Sequence, residues 1–390
     1  MNADDTPKST FDLRILLVLS FGHLATDMYQ SALPAILPVL KAKLVLSYTM
    51  AGIMLLASNV TSSVIQPLFG YLSDKKEKAF LLPAGCLSAG LALSLLFIPN
   101  HYGPVLLLVI FSGLGVAAYH PEGFKTARFF TGEKMATGMA VFSVGGNAGM
   151  ALGPLAATFV ITYFGFDYLP LILVFPLIFF VLLARSWSLL AHARPRFLAR
   201  GGSHGSPSTA AYVSVGLTVA AVIMRSWIVA GLMAYIPFYY IDFEKGDPLY
   251  AGTLVSVFLL GGVIGTLVGA PLADRWGHNR YLILSLVLTS LLLPLILVMH
   301  GLMLFVTLAA VGMVLISSFT VTMVMGQELL PNNLGMASGL MAGFAIGTGG
   351  IGVTLLGVVA DHFGVPAALQ SIMLLPVIGV LISCFIRYPV

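Results

Sequence analysis

Charge is scarce in this 390-residue sequence. Only 9% of its residues are Asp, Glu, Lys or Arg, against about a quarter in an ordinary soluble domain. Hydrophobic residues make up 58% and the mean hydropathy is +0.99. One soluble core cannot enclose so much apolar surface at this length, so the surrounding solvent is expected to be lipid. Cysteine is nearly absent. Cys86 and Cys384 each sit in an apolar run, too few for a disulfide framework, and are expected to be small core residues. The first 22 residues lack the basic stretch and small-residue cleavage site of a signal peptide. Neither a His-Glu-x-x-His zinc motif nor a Gly-x-x-x-x-Gly-Lys phosphate loop occurs, so neither an enzyme nor ATP-driven transport by this chain is expected. No ring of charge suggests a channel filter.

What is present is a series of apolar stretches near the ~20 residues a membrane helix needs. Twelve occur, at about 14–40, 48–72, 79–99, 103–127, 135–163, 166–190, 211–241, 249–273, 280–299, 302–326, 335–360 and 366–388. They lack the ten-residue alternation of barrel strands, so helices are expected. With the N-terminus placed inside, 15 of the 19 Lys and Arg fall on the inner side. Lys41, Lys43 and Lys245 fall outside, and Arg225 lies within a span. That bias is the positive-inside pattern. The basicity (pI about 9.0) is therefore assigned to the inner leaflet rather than to nucleic acid, for which no basic patch exists.

The longest connection, "AHARPRFLARGGSHGSPSTA" at 191–210, reads as a cytoplasmic linker. It divides the chain into residues 1–190 and 211–390, six spans each. The halves echo one another. "QPLFGYLSDKK" (66–76) parallels "GAPLADRWGHNR" (269–280), which places Asp74 and Asp274 200 positions apart. "ATGMAVFSVGGNAG" (136–149) parallels "ASGLMAGFAIGTGG" (337–350) at an offset of 201. A duplicated six-span unit suits a pseudo-twofold transporter working by alternating access, with its site between the halves.

"GYLSDKKEK" and "APLADRWGHNR" resemble the 2–3 and 8–9 loop signatures of the major facilitator superfamily. Ala270 stands where that signature has glycine. "GHLATDMYQSALPAILP", "YHPEG", "VGGNAGMALGPL" and "QELLPNNLGMASGLMAGFAIGTGGIG" occur in order along nearly the whole chain and are similar to the fosmidomycin resistance proteins. That resemblance implies an all-α membrane protein, with twelve transmembrane helices in two pseudo-symmetric six-helix bundles. It implies a multi-pass exporter of the bacterial inner membrane, both termini cytoplasmic, driven by the proton gradient and needing no cofactor or metal. Its cargo would be a small anionic or amphipathic drug, for instance a phosphonate such as fosmidomycin, with protons and lipid as the other partners and a monomer as the working form. The loop signature implies that Asp74, Lys75, Asp274, Arg275 and Glu328 latch helices at the inner face. "GMALGP" (149–154) also resembles part of the antiporter signature of the fifth helix, although Ala157 and Thr158 replace its closing glycine pair. A symporter or facilitator importing a sugar or organic acid is the alternative.

Ionisable groups inside spans are costly and are functional candidates by default. His23 and Asp27, four apart, share one helix face. Thr26, Gln30 and Pro34 extend that polar stripe. Asp27 lies roughly 20 Å along the helix from Arg14, near mid-depth. A carboxylate removed from water beside an imidazole can exchange protons. The bland alternative is a pair that locks the first span to its neighbours. Arg225, in "AAVIMRSWIVAGL", is suited to phosphate or phosphonate oxygens, or to an internal ion pair with Asp27 or Glu122. Tyr29, Gln30 and Asn147 complete the expected substrate contacts. His120 and Glu122 join Asp27 and His23 as proton-handling candidates. Two residues apart, His120 and Glu122 point about 200° from each other unless Pro121 distorts the helix. Glu122 and Lys125 are spaced to pair. Lys125 and Arg128 are expected as ordinary anchors at the inner mouth. Asn59 and Gln66 are expected as interhelical glue, and the glycines of the fifth and eleventh spans as close-packing positions.

Overall fold

The computed structural model describes residues 11–46, 48–75, 80–191, 208–240 and 248–388. Lys8, Lys76, Lys78, Arg194, Arg196, Arg200 and Lys245, assigned above by topology, lie outside the described residues, as does most of the linker. The described residues are helical with short turns and contain no strand. The helices are α1 (Leu13–Leu44), α2 (Tyr48–Asn59), α3 (Gln66–Lys75), α4 (Leu81–Ser94), α5 (Tyr102–Arg128), α6 (Met135–Tyr163), α7 (Val174–Arg185) and α8 (Trp187–Ala191). They continue as α9 (Thr209–Phe238), α10 (Pro248–Trp276), α11 (His278–Leu292), α12 (Leu302–Leu329), α13 (Leu334–Ser338), α14 (Ala345–Gly347), α15 (Gly349–Phe363), α16 (Val365–Ile372) and α17 (Leu374–Cys384).

Among the described residues, ten helical segments are long and apolar enough to cross a membrane. Leu81–Phe97 is a shorter apolar helix. α1 is not among the ten, although it runs 32 residues. Its polar stripe dilutes its hydropathy. Asp12 caps its start, its carboxylate accepting from the N–H groups of Arg14 and Ile15.

By contact the described residues fall into two compact units. The first lies within Met1–Gly205 and takes in Asn332–Phe344; the second lies within Ser206–Pro331 and Ala345–Val390. In the first unit, α6 lies directly on α1. A methyl group at Gly145, Gly149 or Gly153 would overlap the carbonyl oxygens of Ser20, Leu24 and Met28 in turn. Small residues at this four-residue spacing let two backbones touch where lipid gives no hydrophobic drive to associate. The glycines of the fifth span therefore pack as expected. One end of the unit is filled by a core that includes Leu33, Leu40, Met54, Leu93, Val109 and Leu169.

Within this first unit, α13 and the π-helical turn Gly339–Phe344 lie across α3. Gly335 meets the Gly70 backbone and Gly339 meets the Gln66 backbone. In the second unit α10 and α12 make a comparable approach, through Gly261, Gly265 and Gly312, which the sequence reading did not single out. Cys86 is buried, as expected. Cys384 is exposed at the end of α17, which corrects its assignment as a core residue.

Candidate functional site

The polar stripe of α1 is completed by α5. His23 Nε2 lies 3.3 Å from Asp27 Oδ2, as the four-residue spacing requires, and His120 Nε2 lies 2.9 Å from Asp27 Oδ1. All three side chains are buried. The other nitrogen of each ring faces a backbone carbonyl. His23 Nδ1 is 3.0 Å from Phe142 O on α6, and His120 Nδ1 is 2.9 Å from Val116 O one turn back on α5. The His23 ring stacks on Phe142 at 4.4 Å and meets the edge of Phe124 at 5.6 Å. Gly146 of α6 closes the group, since a methyl group there would press on His23 Nε2 and Asp27 Oδ2. Two imidazoles and a carboxylate within 4.8 Å of one another are also a donor set of the kind divalent transition metals take. The N···O separations are also close to hydrogen-bond lengths, so bridging protons fit them as well.

Two residues further along α5 the surroundings change. Glu122 faces away from Asp27 toward α3. Its Oε2 accepts from Lys125 Nζ at 2.8 Å and from Ser73 Oγ at 2.5 Å, and its Oε1 accepts from Thr126 at 3.3 Å. Lys125 Nζ also donates to Ser73 O at 2.8 Å and Ser73 Oγ at 2.5 Å, so all three of its N–H bonds are used. The helical-spacing argument thus holds. Pro121 does not bring His120 and Glu122 to one site, and Glu122 pairs with Lys125. Glu122, grouped above with the proton carriers, stands apart from the His23–Asp27–His120 group, its charge matched by a buried ammonium. Lys125 is a second correction. It is only 3% exposed and is an internal counter-charge, not a solvated anchor. Arg128 is half-buried and donates to Thr131 at 3.2 Å.

The expected substrate contacts are dispersed. Tyr29 is turned into the apolar core of the first unit and its hydroxyl donates to Ile172 O at 2.8 Å. It is a packing residue, which corrects its assignment as a substrate contact. Gln30 is half-buried and Asn147 is exposed on α6. Gln66 is buried, its amide donating to Ser62 O, and it packs against Gly339 and Gly343. In the second unit Arg225 is 4% exposed on α9, its guanidinium 5.2 Å from the Phe319 ring of α12. Its Nη1 has no hydrogen-bond partner among the described residues. Asp27 and Glu122, suggested above as its ion-pair partners, are engaged within their own unit.

The loop-signature residues also separate. In the first unit the Asp74 carboxylate accepts from Gly335 N–H at 2.8 Å and Met336 N–H at 2.9 Å, so it holds the first turn of α13. Lys75 is exposed and lies over the Tyr71 ring at 4.3 Å. In the second unit Asp274 and Glu328 converge on His278, a residue the sequence reading passed over. His278 Nε2 is 3.4 Å from Asp274, and its Nδ1 is 3.2 Å from Glu328 and 2.9 Å from the Tyr388 hydroxyl. The signal was present in "ADRWGH", with histidine four residues after the aspartate. Arg275 is exposed.

The described residues are helical, with ten segments long and apolar enough to cross a membrane and buried titratable groups on α1 and α5, the architecture of a multi-pass membrane protein. The profile of the Major Facilitator Superfamily matches residues 19–246 and 240–390, and the chain belongs to that family. It is 34% identical over 379 residues to an uncharacterized MFS-type transporter of Bacillus subtilis (strain 168), YfnC, spanning 94% of this chain and 91% of the relative. It is 31% identical over 383 residues to the fosmidomycin resistance protein of Escherichia coli (strain K12), spanning 97% and 94%. Among solved structures, the E. coli fucose:proton symporter FucP superposes with TM-score 0.71 at 15% identity, covering 96% of this chain and 98% of that one. The human organic anion transporter MFSD10 superposes with TM-score 0.68 at 17% identity, covering 95% and 99%. At these identities the two structures speak for the fold alone.

Proposed function

We propose that the protein is a proton-coupled antiporter that exports a small anionic or amphipathic drug by alternating access, with a phosphonate such as fosmidomycin as the candidate cargo. The observation that carries this reading is the buried His23–Asp27–His120 group. Ionisable side chains are expensive in a membrane helix and persist where they move ions or protons. Here three of them meet with too few hydrogens for their contacts, so the group takes up and gives up protons. Arg225 is the proposed anion contact. A buried guanidinium with a free N–H is an unmet demand for an acceptor, and phosphonate oxygens fit its fork. Similarity to the E. coli fosmidomycin resistance protein supports the cargo. Location in a bacterial inner membrane, basic loops toward the cytoplasm and function as a monomer complete the proposal, with the proton gradient as sole energy source.

The test is uptake of radiolabelled fosmidomycin into inverted membrane vesicles with an acidic lumen. Accumulation that collapses with a protonophore is expected. Accumulation only in right-side-out vesicles, dependent on an inward proton gradient, would instead establish proton-linked import.

A further inference from the structure

The hydrogen count at Asp27 identifies which atoms carry the protons. Phe142 O and Val116 O can only accept, so Nδ1 of both His23 and His120 must carry hydrogen. Each neutral ring therefore presents the lone pair of Nε2 to Asp27, and an ionised carboxylate presents lone pairs in return. Without a bridging proton, Asp27 Oδ1 is a buried carboxylate oxygen with no donor, although His120 Nε2 is only 2.9 Å away. The group carries a net charge of −1 with no bridging proton, 0 with one and +1 with two.

We propose that Asp27 stays ionised throughout the cycle, that His23 holds a resident proton on Nε2, and that the exchanged proton rides on Nε2 of His120. This rests on the proton-coupled reading above and specifies its carrier. Imidazole is the more basic partner by roughly 2.6 pK units in model compounds. A carbonyl on Nδ1–H, the arrangement seen behind metal-bound histidines, fixes each ring with Nε2 turned to Asp27. The stack of His23 on the Phe142 face favours a cation there. His23 is also clamped, by Phe142, Phe124 and its own-helix partner Asp27. His120 is held by a carbonyl of its own helix and reaches Asp27 across the α1–α5 contact. Loss of its proton turns a 2.9 Å interhelical attraction into repulsion, while the bond within α1 persists.

Few other ionisable groups face the cluster. Tyr119 of α5 donates its hydroxyl to Leu19 O. Cys86 of α4 is a buried thiol. Glu122 and Lys125 neutralise each other one turn away. The aromatic contacts from α6 and from the same turn of α5, Phe142 and Phe124, carry no charge.

The proposal is read on the full-length protein in lipid bilayers, without substrate or gradient, so its outcome is separate from any transport result. Protein labelled with 15N-histidine and 13C-aspartate is titrated from mildly acidic to mildly alkaline pH. The expected result is one interior imidazole whose Nε2 gains and loses hydrogen, absent in His120→Gln, with no infrared band of a protonated Asp27 carboxyl at any pH. A protonated-carboxyl band that shifts with the aspartate label and vanishes in Asp27→Asn overturns it. So does a titrating imidazole that vanishes in His23→Gln and persists in His120→Gln. Should His120→Gln fail to fold, the infrared measurement on the unsubstituted protein still decides the state of Asp27.

Discussion

His120 and Glu122 stand two residues apart on one buried helix and live in opposite circumstances. Around Glu122 every demand is met. Lys125 uses three donors, Ser73 Oγ both donates and accepts, and Thr126 takes the second carboxylate oxygen. Around His120 the demands conflict, since its Nε2 and Asp27 Oδ1 face each other as two lone pairs unless a proton is taken up between them. Both clusters contain a carboxylate and a base, and residue type alone does not separate them. The satisfied cluster ties α5 to α3; the unsatisfied one is the proposed proton carrier.

That contrast can be broken from either side. The largest expected effect is that of Asp27→Asn. Asparagine donates to the Nε2 of one histidine and accepts from the other ring only when that ring is protonated, so one of the two conflicts is relieved while the shape remains. Gradient-linked transport should fall at least ~100-fold, the scale on which loss of a proton-transfer group is felt, with thermal stability of the purified protein unchanged or raised. A clear drop in melting temperature would mean that the cluster is structural after all.

Lys125→Met should do the reverse. It strands a buried carboxylate, which costs about 3–5 kcal/mol, read as a fall in thermal stability and yield. Adding Glu122→Leu should restore most of that loss, because a buried ion pair is often replaceable by apolar residues. Transport per folded molecule should survive in the double variant. A double variant that folds yet has lost its dependence on the proton gradient would return Glu122 to the proton-handling group.

Arg225 extends the comparison to the second unit, where it too is buried with an unmet hydrogen bond. Arg225→Lys keeps the charge and removes the fork. A hydrogen bond to a charged partner is worth about 1.5–3 kcal/mol, so KM for an anionic cargo should rise by roughly 10-fold or more, with little change in stability. An unchanged KM would remove Arg225 from the substrate contacts. The smallest effect is expected at Asp74, which holds the first turn of α13 through the N–H groups of Gly335 and Met336. Asp74→Asn weakens one helix-terminal anchor by about 1 kcal/mol, a shift of melting temperature at most modest.

The sequence made most of the fold legible, because lipid imposes long apolar runs. It also displayed contacts within a helix: His23 with Asp27 at four residues, Glu122 with Lys125 at three. It could not display contacts between helices. Nothing in the spacing shows that His120 returns to Asp27, that Ser73 completes the Glu122 pair, or that Asp74 finds Gly335 261 positions away. The misreading of Lys125 has the same origin. A lysine near a span's end looks like a membrane anchor until the neighbouring helix supplies two acceptors and its own helix a third. Tyr29, adjacent to a polar stripe, points instead into the core because successive helical residues lie about 100° apart.

The most direct test compares two variants in proteoliposomes with an imposed pH gradient, measuring gradient-driven cargo movement per folded molecule. Asp27→Asn should abolish it, and the Glu122→Leu/Lys125→Met double variant should retain it. Robust gradient-driven transport by Asp27→Asn, with loss in the folded double variant, would contradict the account.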